Sequence, residues 1–429
     1  MITGKKLYIL SAVLALTVVQ GCAGNKVSVA PKTAKILTAG KEPVRIVCFG
    51  DSITGIYYHT GSKRAYPDML EIALERAYPQ ANVKVINAGK SGDITSGALE
   101  RMEKDVLIHQ PNLVTVMFGM NDMKVVNRTA ENPDGTGRVP IGEFHNNLVE
   151  IINRCRQVGA EVILCGQNSI NDSPERNNKN LLRYIAEIER VGKEQSVPVI
   201  DFYPVYKKIR DGSTLEWMLL MSDNDIHPNM NGHRLFAERI AEAISGRKVS
   251  LDEIGPPCPS IPQTLARLKA GKAVRVHAMP PYDGLIEAAL RKVWPGAEIN
   301  VTYWPVAGKS LAEIAQDAKE VGKKDVDLVI IAVPAEAKAD TIEQYIESYN
   351  GMLNELVRSG QDRWDCVAIS PSTMQSSSDG EQQRRYHIAR RIIKSKDIGT
   401  FVNQAYSCRN LEMQFSDWLK EQAECAREQ

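Results

Sequence analysis

The sequence lacks the charge imbalance that is typical of nucleic-acid-binding proteins. Its 429 residues include 53 lysines and arginines and 52 aspartates and glutamates, which gives a net charge of +1. It contains no basic run with interleaved aromatic residues and no long block of like charge. Since binding to phosphates depends on clustered positive charge, nucleic acid is not an expected partner.

Cysteine and histidine patterns typical of zinc sites are also missing. None of the eight cysteines lies in a CxxC pair, and no Cys/His spacing suggests a metal site. Cys48 and Cys165 lie in apolar, strand-like runs, where a buried thiol is expected. An exported protein could form disulfides, although the sequence does not indicate which cysteines would pair.

A helix that spans a membrane is not predicted at the start of the chain. The apolar stretch at 7–19 is too short to cross a bilayer comfortably. Lys5 and Lys6 precede it, and Val19-Gln20-Gly21-Cys22 at its end resembles a lipobox, although Gln20 is unusual in that pattern. A plain secretory signal and a short anchor helix are the alternatives.

The preferred interpretation is a signal peptide at residues 1–21, lipid on Cys22 and a polar tether at residues 22–43. The lipid anchor alone would contact the membrane, and the folded part would stay soluble. We therefore expect a protein of the bacterial cell envelope that faces the periplasm or lies at the cell surface. The sequence does not indicate its oligomeric state.

The two halves of the chain contain similar segments in the same order. Val44-Arg45-Ile46-Val47 resembles Val274-Arg275-Val276-His277, and the tetrapeptide Ala-Gly-Lys-Ser occurs at 88–91 and at 307–310. Apolar strands and helices follow at similar spacings in both halves. We interpret this series as a tandem duplication.

Short apolar strands alternate with amphipathic helices along the chain, which predicts βαβ units and parallel sheets. We expect two three-layer α/β/α domains of flavodoxin-like topology, at residues 44–247 and 274–429. Residues 248–273, which contain four prolines, are the expected linker. Ligands of such sheets bind at the carboxyl ends of the strands, so the loops there are the place to look for a site.

Four segments of the first half carry candidate chemistry. Gly50-Asp51-Ser52 follows the first strand, Gly92 and Asn121 lie in loops after the next two strands, and His227-Pro228 precedes the last helix. A serine beside an imidazole is a nucleophile with its base, and N–H groups can bind developing negative charge. Each segment alone is also typical of a tight turn or a helix cap.

Together the segments resemble the four blocks of the SGNH hydrolases, the GDSL esterase and lipase family. The blocks match as Gly50-Asp51-Ser52, Gly92, Gly119-Met120-Asn121-Asp122 and His227-Pro228, and the resemblance covers about residues 44–246. The sequence around Ser52 lacks the Gly-x-Ser-x-Gly motif, which argues against the turn of the ordinary α/β-hydrolases.

The resemblance implies a serine esterase that needs no metal and no cofactor. Ser52 would attack an ester carbonyl and His227 would accept its proton. The N–H groups of Ser52 and Gly92 and the side chain of Asn121 would form the oxyanion hole. The substrate would be a small-molecule or carbohydrate ester.

The resemblance does not assign the residue that orients His227. The family normally has an aspartate three residues before this histidine, where the chain has Asn224. Asp223 and Asp225 flank that position, and either carboxylate or the Asn224 amide could hold the imidazole. His233, in the helix that follows, is expected to have a structural or surface role. No convincing partner motif accompanies the remaining candidates, His59, His109 and His145.

The second half lacks counterparts of the site residues. Pro280-Pro281-Tyr282 replaces the serine block, Leu311 corresponds to Gly92, and Pro334-Ala335-Glu336 replaces the asparagine block. No histidine follows His387, so a counterpart of the base is missing. We expect a degenerate, catalytically inactive copy that binds substrate, packs against the first domain or serves as a scaffold.

The leading hypothesis is an exported serine esterase. O-acetylated carbohydrate is the favoured substrate by analogy with exported members of the family. A lipase, lysophospholipase or thioesterase that acts on acyl chains is the first alternative. A non-catalytic surface binding protein is the second, because the acid is irregular and the second half lacks a site.

Overall fold

The computed structural model describes residues 28–56, 58–127, 136–222, 226–360, 363–370, 379–401 and 411–428. The signal peptide expected at 1–21 and the lipidation site expected at Cys22 lie outside these residues. None of the helices within them combines the length and the apolar character that crossing a membrane requires.

A five-stranded parallel sheet forms the centre of the first half. The strands of this half are β1 (Val44–Gly50), β2 (Val83–Gly89), β3 (Leu113–Met117), β4 (Val125–Val126), β5 (Thr136–Gly137), β6 (Glu161–Cys165) and β7 (Val199–Ile200). The sheet has the order β2-β1-β3-β6-β7, and β4 pairs with β5. Gly50 lies beside Gly89 and Met117 in the register, so three strands end at the same edge.

Helices cover both faces of this sheet. They are α1 (Pro31–Ala39), α2 (Tyr66–Ala77), α3 (Thr95–Asp105), α4 (Ile141–Gln157), α5 (Asn178–Glu194), α6 (Tyr203–Gly212), α7 (Thr214–Met218) and α8 (Met230–Ser245). α2 packs against α8, while α3, α4 and α5 pack side by side. The central strand β1 is fully buried from Ile46 to Phe49, as a parallel sheet covered on both faces requires.

The second half is built in the same way. Its strands are β8 (Val274–Ala278), β9 (Ile299–Tyr303), β10 (Leu328–Ile331), β11 (Asp365–Ile369) and β12 (Gly399–Phe401). Its helices are α9 (Pro262–Lys269), α10 (Tyr282–Val293), α11 (Leu311–Val321), α12 (Ile342–Gly360), α13 (Gly380–Lys394) and α14 (Leu411–Glu428). The strands form a parallel sheet in the order β9-β8-β10-β11-β12 around a second apolar core. The expected α/β fold class, with two parallel sheets covered by helices, is confirmed.

The two sheets share one topology. In each of them the second strand along the chain lies at the edge, followed by the first, third, fourth and fifth strands of the sheet. The helix after that edge strand begins twelve residues after the strand's first residue, at Thr95 in one half and at Leu311 in the other. Gly92 therefore corresponds to Gly308, and both have positive φ values, of 66° and 76°.

The correspondence of Gly92 with Leu311 in the sequence analysis is wrong. It depends on the Ala-Gly-Lys-Ser tetrapeptides, which are out of register. Ala88 lies within β2, whereas Ala307 lies in the loop beyond the end of β9. A local identity between the two halves thus falls at different structural positions.

Part of the expected tether is folded. α1 occupies 31–39 of the segment 22–43, and its Leu37 is fully buried in the first core. The N–H of Val29 donates to the carbonyl of Ala243 at 3.0 Å. The tether prediction is therefore wrong from residue 29 onward, because apolar side chains of this segment pack on the first domain.

The expected linker is partly a helix of the second domain. α9 lies within residues 248–273, and its Leu265 and Leu268 belong to the second core together with Ile261. Pro262 occupies the first turn of α9, where an N–H group would have no partner within the helix. The proline-rich composition therefore marks a helix start as well as a connection.

A disulfide between Cys258 and Cys425 joins the segment before α9 to α14. The two cysteines are 167 residues apart in sequence and enclose almost the whole second domain. The free cysteines among the described residues are Cys48, Cys155, Cys165 and Cys366, all buried. The expectation of buried thiols at Cys48 and Cys165 is confirmed, and burial raises the pKa of Cys48 to about 12.

We expect the second domain to depend on this disulfide. Replacing both Cys258 and Cys425 by serine removes a cross-link over a long loop and should lower the free energy of unfolding by about 2–5 kcal/mol. Thermal unfolding with and without dithiothreitol measures the effect. The wild-type protein should fall to the level of the double variant on reduction, while the double variant stays unchanged. A wild-type Tm that is insensitive to reductant, with the bond shown to be open by thiol titration, would contradict the expectation.

Candidate active site

Ser52 and His227 meet at the carboxyl edge of the first sheet. Ser52 follows the end of β1 and is 8% exposed, and Nε2 of His227 lies 2.8 Å from its Oγ. Gly50 makes the turn possible, because a Cβ at this position would lie 2.7 Å from the carbonyl oxygen of Met117 in β3. The two side chains are thus within hydrogen-bonding distance although they are 175 residues apart in sequence.

Asn121 is held in one orientation beside the serine loop. Its Nδ2 donates to the carbonyl of Asp93 at 3.1 Å and lies 3.4 Å from Oδ2 of Asp51. Its Oδ1 accepts from Nη2 of Arg176 at 3.0 Å. Because a guanidinium only donates, this contact fixes which end of the amide carries the hydrogens. The N–H₂ group therefore faces the loop that carries Ser52.

Asp122 shapes the loop that presents Asn121. Its Oδ1 accepts from the N–H and the hydroxyl of Thr95 at 2.8 and 2.7 Å, and its Oδ2 accepts from the N–H of Gly119 at 3.1 Å. Burial raises the pKa of Asp122 to about 6 against the effect of these bonds. The bonds join the loop after β3 to the start of α3.

Arg101 connects the loops after β1 and β2. It is 6% exposed and donates to the carbonyls of Gly50 and Ala88, both at 2.9 Å. Its Nε pairs with Asp93 at 2.7 Å, and its guanidinium lies 4.6 Å from the centre of the Phe49 ring. A buried charge requires such partners. Arg101 thereby fixes Asp93, whose carbonyl receives the Asn121 amide.

Asp51 is fully buried next to the serine. Its Oδ1 accepts from the N–H of Ile53 at 2.9 Å. Burial raises the pKa of Asp51 to about 7, and the nearby carboxylates of Asp122 and Asp93 contribute to the rise. A substantial fraction of this carboxyl group is therefore protonated near neutral pH.

Gly92 lies exposed in the loop between β2 and α3. Its carbonyl accepts from Nη1 of Arg138 at 3.0 Å. This contact ties the loop to the segment that follows β5. Gly92 and Asn121 lie in the loops after β2 and β3, the two strands that flank β1, and Ser52 follows β1.

The loop that carries His227 is held on both sides of the imidazole. The N–H of Ser222 donates to the carbonyl of His227 at 2.8 Å. Asn168, beyond the end of β6, donates from Nδ2 to the carbonyl of Ile226 at 3.0 Å. The candidates for orienting the imidazole, Asp223, Asn224 and Asp225, lie outside the described residues.

Two further histidines lie close to His227. The ring of His59 stacks on that of His227, with centroids 4.6 Å apart and an angle of 25° between the planes. His233 is fully buried, and its Nδ1 accepts from the N–H of Tyr66 at 2.9 Å. Burial lowers the pKa of His233 to about 3, so this ring is neutral and holds the start of α2.

Sequence reasoning missed several residues that hold the site together. His59, Arg101, Asn168 and Arg176 lie outside the four matching blocks. Arg101 is an arginine on a buried face of α3, and Asn168 and Arg176 follow β6 at the carboxyl edge. The sequence places Arg101 in the helix after β2, and Asn168 and Arg176 in the segment after β6, so these residues could have been singled out in advance. The stacking of His59 depends on the path of a loop, which the sequence does not indicate.

The corresponding edge of the second sheet has different chemistry. A cleft of about 770 Å³ lies there, lined among others by Pro280, Pro281, Gly308, Pro334 and Glu336. These residues come from the loops that correspond to those of Ser52, Gly92 and Asn121. Within the described part of the chain, no group of three or more His, Cys, Asp or Glu side chains could hold a metal ion.

Comparison with known proteins agrees with this geometry. The GDSL-like Lipase/Acylhydrolase family matches residues 48–235, from β1 into α8. These residues form a GDSL-like lipase/acylhydrolase domain. The GDSL-like domain contains Ser52, Asn121 and His227, and it is a carboxylic ester hydrolase domain. The match ends before the second sheet begins.

Three curated proteins are similar to parts of this chain. YqeF, an uncharacterized lipoprotein of Bacillus subtilis, is 32% identical over 123 residues, which are 28% of this chain and 46% of that protein. An acetylxylan esterase of Geobacillus stearothermophilus is 23% identical over 173 residues, which are 40% of this chain and 76% of that protein. The thioesterase 1/protease 1/lysophospholipase L1 of Escherichia coli is 25% identical over 201 residues, which are 46% of this chain and 82% of that protein. The chain thus spans about half the length of the first relative and most of the other two.

We expect the raised pKa of Asp51 to appear in the pH dependence of stability. A carboxyl group whose pKa rises from 3.8 to about 7 on folding stabilises the fold at low pH, and this contribution is lost as the pH rises. The stability of the wild type relative to Asp51→Asn should therefore fall between roughly pH 4 and pH 7, by at most about 1.4 kcal/mol per pH unit. Chemical denaturation of both proteins across this range measures the difference. A difference that is independent of pH would show that Asp51 titrates near its usual value.

Proposed function

We propose that this chain is an exported serine esterase in which Ser52 is the nucleophile and His227 the general base. The observation that carries the proposal is the 2.8 Å contact between Oγ of Ser52 and Nε2 of His227. The residues come from opposite ends of the GDSL-like domain, and a nucleophile within hydrogen-bonding distance of a base is the arrangement that acyl transfer needs.

The reaction would proceed in two halves. Oγ of Ser52 bonds to the ester carbonyl carbon while Nε2 of His227 takes the hydroxyl proton. The tetrahedral intermediate then expels the alcohol, which receives that proton from His227. Water repeats the sequence on the acyl-serine, with His227 again accepting a proton, and the carboxylic acid is released.

The oxyanion of the intermediate would be bound by three donors. These are the N–H groups of Ser52 and Gly92 and the Nδ2 group of Asn121. The contact between Arg176 and Asn121 supports this role, because it keeps the hydrogens of the amide on the side of the serine loop. Donors that are fixed before the charge develops stabilise it without reorganisation.

The acid that would orient His227 is proposed from the sequence alone. Asp223, Asn224 and Asp225 remain the candidates. A weak or absent acid lowers the rate and need not abolish it.

O-acetylated carbohydrate is the proposed substrate. The acetylxylan esterase among the relatives supports a sugar acetate. The relative named a thioesterase and lysophospholipase supports the alternative, an ester or thioester of a longer acyl chain. The two differ in the length of the acyl group and are separated by the substrate series described below.

Export and a lipid anchor at Cys22 are part of the proposal. The relative named a lipoprotein supports it. The disulfide between Cys258 and Cys425 adds support, because disulfides persist in oxidising compartments outside the cytoplasm. The lipid would be the membrane contact of the protein.

The second domain is proposed to be a degenerate duplicate of the first. The shared strand order and the matching positions of Gly92 and Gly308 support a common origin. Tyr282 and Glu336 occupy the positions of Ser52 and Asn121, so the nucleophile and the side-chain donor have no counterpart. The proposal therefore assigns ester hydrolysis to the first domain alone.

We expect hydrolysis to depend on Ser52 and on a short acyl group. Ser52→Ala should lower kcat by at least about 10⁴-fold, because the nucleophile is removed while binding is kept. p-Nitrophenyl acetate, butyrate and dodecanoate, together with acetylated xylo-oligosaccharides, measure the preference, and acetates should be the best substrates. Activity that is unchanged in Ser52→Ala would contradict the mechanism, and a preference for dodecanoate would favour the acyl-chain alternative.

We expect Arg176 to support the oxyanion hole through Asn121. Arg176→Ala releases the amide oxygen and should lower kcat by about tenfold with little change in KM, which is less than the roughly 10²–10³-fold effect of losing a donor outright. Arg183→Ala, at an exposed position of α5, is the matched control and should leave both constants unchanged. If Arg176→Ala and Arg183→Ala have the same kcat and KM, Arg176 does not support the oxyanion hole.

A further inference from the structure

The second domain contacts the first beside the candidate active site. Part of this contact is made by the turn at residues 395–397, between α13 and β12, whose members are at most 2% exposed. This turn touches the loop at residues 59–64, which carries His59. It also touches the start of α8, which follows His227.

The loop of His59 is pressed against the backbone of Lys396. A Cβ on Gly61 would lie 1.8 Å from the carbonyl oxygen of Lys396, and φ of Gly61 is 78°, so only glycine fits. Three residues later, Arg64 forms a bidentate ion pair with Asp397, at 2.6 and 2.5 Å. The Asp397 side chain is fully buried and that of Arg64 is 13% exposed, so water screens this pair little.

The segment of His227 is joined to the second domain at both ends. The N–H of Met230, the first residue of α8, donates to the carbonyl of Ser395 at 2.8 Å. On the other side, Leu219 is 1% exposed and belongs to the apolar core of the second domain. Nδ2 of Asn229 donates to the carbonyl of Leu219 at 3.1 Å, which links the two ends.

The rings of His59 and His227 lie face to face between these anchored segments. Their centroids are 4.6 Å apart, and His59 is 2% exposed. The stack covers one face of the His227 ring and defines the plane in which Nε2 points to Ser52. Burial is the main reason why the pKa of His59 lies well below its usual value. The neutral ring of His59 does not repel the positive charge that His227 takes up.

We propose that the second domain positions the general base: its turn at residues 395–397 holds His59 against His227 and so sets the direction of Nε2 toward Ser52. His59 is a positioning residue, and Gly61, Arg64 and Asp397 transmit the position. This inference rests on the proposed function, because that function makes His227 the base. A misplacement of about 1 Å lowers the rate of a positioned reaction by about 10²-fold, so such support has a measurable effect.

The first test compares variants of His59 in the full chain. The readouts are the rate constant for modification of Ser52 by a fluorophosphonate, and kcat and KM for p-nitrophenyl acetate. His59→Ala should lower both rate constants by about tenfold with KM within about twofold, because the base is misaligned and binding is kept. His59→Phe keeps a flat ring for stacking and should recover most of the loss.

The second test breaks the contact between the domains and leaves His59 in place. Gly61→Ala forces a Cβ onto the Lys396 carbonyl and should resemble His59→Ala in both readouts. Gly159→Ala is the matched control, since Gly159 has a similar φ of 82° but no atom within 4 Å of a Cβ. Asp397→Asn weakens the ion pair with Arg64 and should lower both rate constants by about two- to fivefold. If Gly61→Ala does not fold, the rate constants of Asp397→Asn are used in its place.

The outcomes separate this inference from the proposed function. A wild-type protein that is not modified at Ser52 and does not hydrolyse the acetate defeats the proposed function. A reactive wild type with an equally reactive, folded His59→Ala variant overturns the role of His59. Wild-type rates in Gly61→Ala, or in Asp397→Asn where Gly61→Ala does not fold, overturn the role of the second domain.

Discussion

A proton can pass between Ser52 and His227 only while their reacting atoms stay within hydrogen-bonding distance, and most of the architecture around them maintains that distance. Neither residue is held by its own element alone. Arg101 fixes the start of the serine loop by donating to the carbonyl of Gly50. Asn168 and Ser222 fix the histidine loop by donating to its backbone carbonyls. The carboxyl edge of a parallel sheet makes this possible, because consecutive strands end there side by side and their loops meet.

Burial gives the site its electrostatic character. Asp51 in the serine loop interacts electrostatically with the carboxylates of Asp122 and Asp93, and the buried Arg101 pairs with Asp93. Burial disfavours the charged forms of Asp51 and Asp122 and thereby raises their pKa values to about 7 and about 6. The side chains that would react are less completely enclosed, since Ser52 is 8% exposed and His227 is half-buried.

The sequence was sufficient for the fold class and for the segments of the site, because both depend on short-range patterns. The alternation of short apolar runs with amphipathic helices predicted the parallel sheets, and the loops after β1 and β3 were singled out from their local residues. What depends on packing between distant segments was not predictable. The stack of His59 on His227, the helix α1 within the expected tether and the register of Gly92 with Gly308 all belong to this class. In the last case a repeated tetrapeptide was misleading, because identity of letters does not fix position relative to a strand.

The contact between Ser52 and His227 is the central claim, and the reactivity of the serine tests it most directly. The measurement is the rate of phosphonylation of Ser52 by a fluorophosphonate in the wild type and in His227→Gln, with the site identified by mass spectrometry of the peptide. We expect a single modification, at Ser52, and a rate that falls by at least about 10³-fold without the imidazole. Modification of Ser52 at the same rate in the folded His227→Gln variant would contradict it.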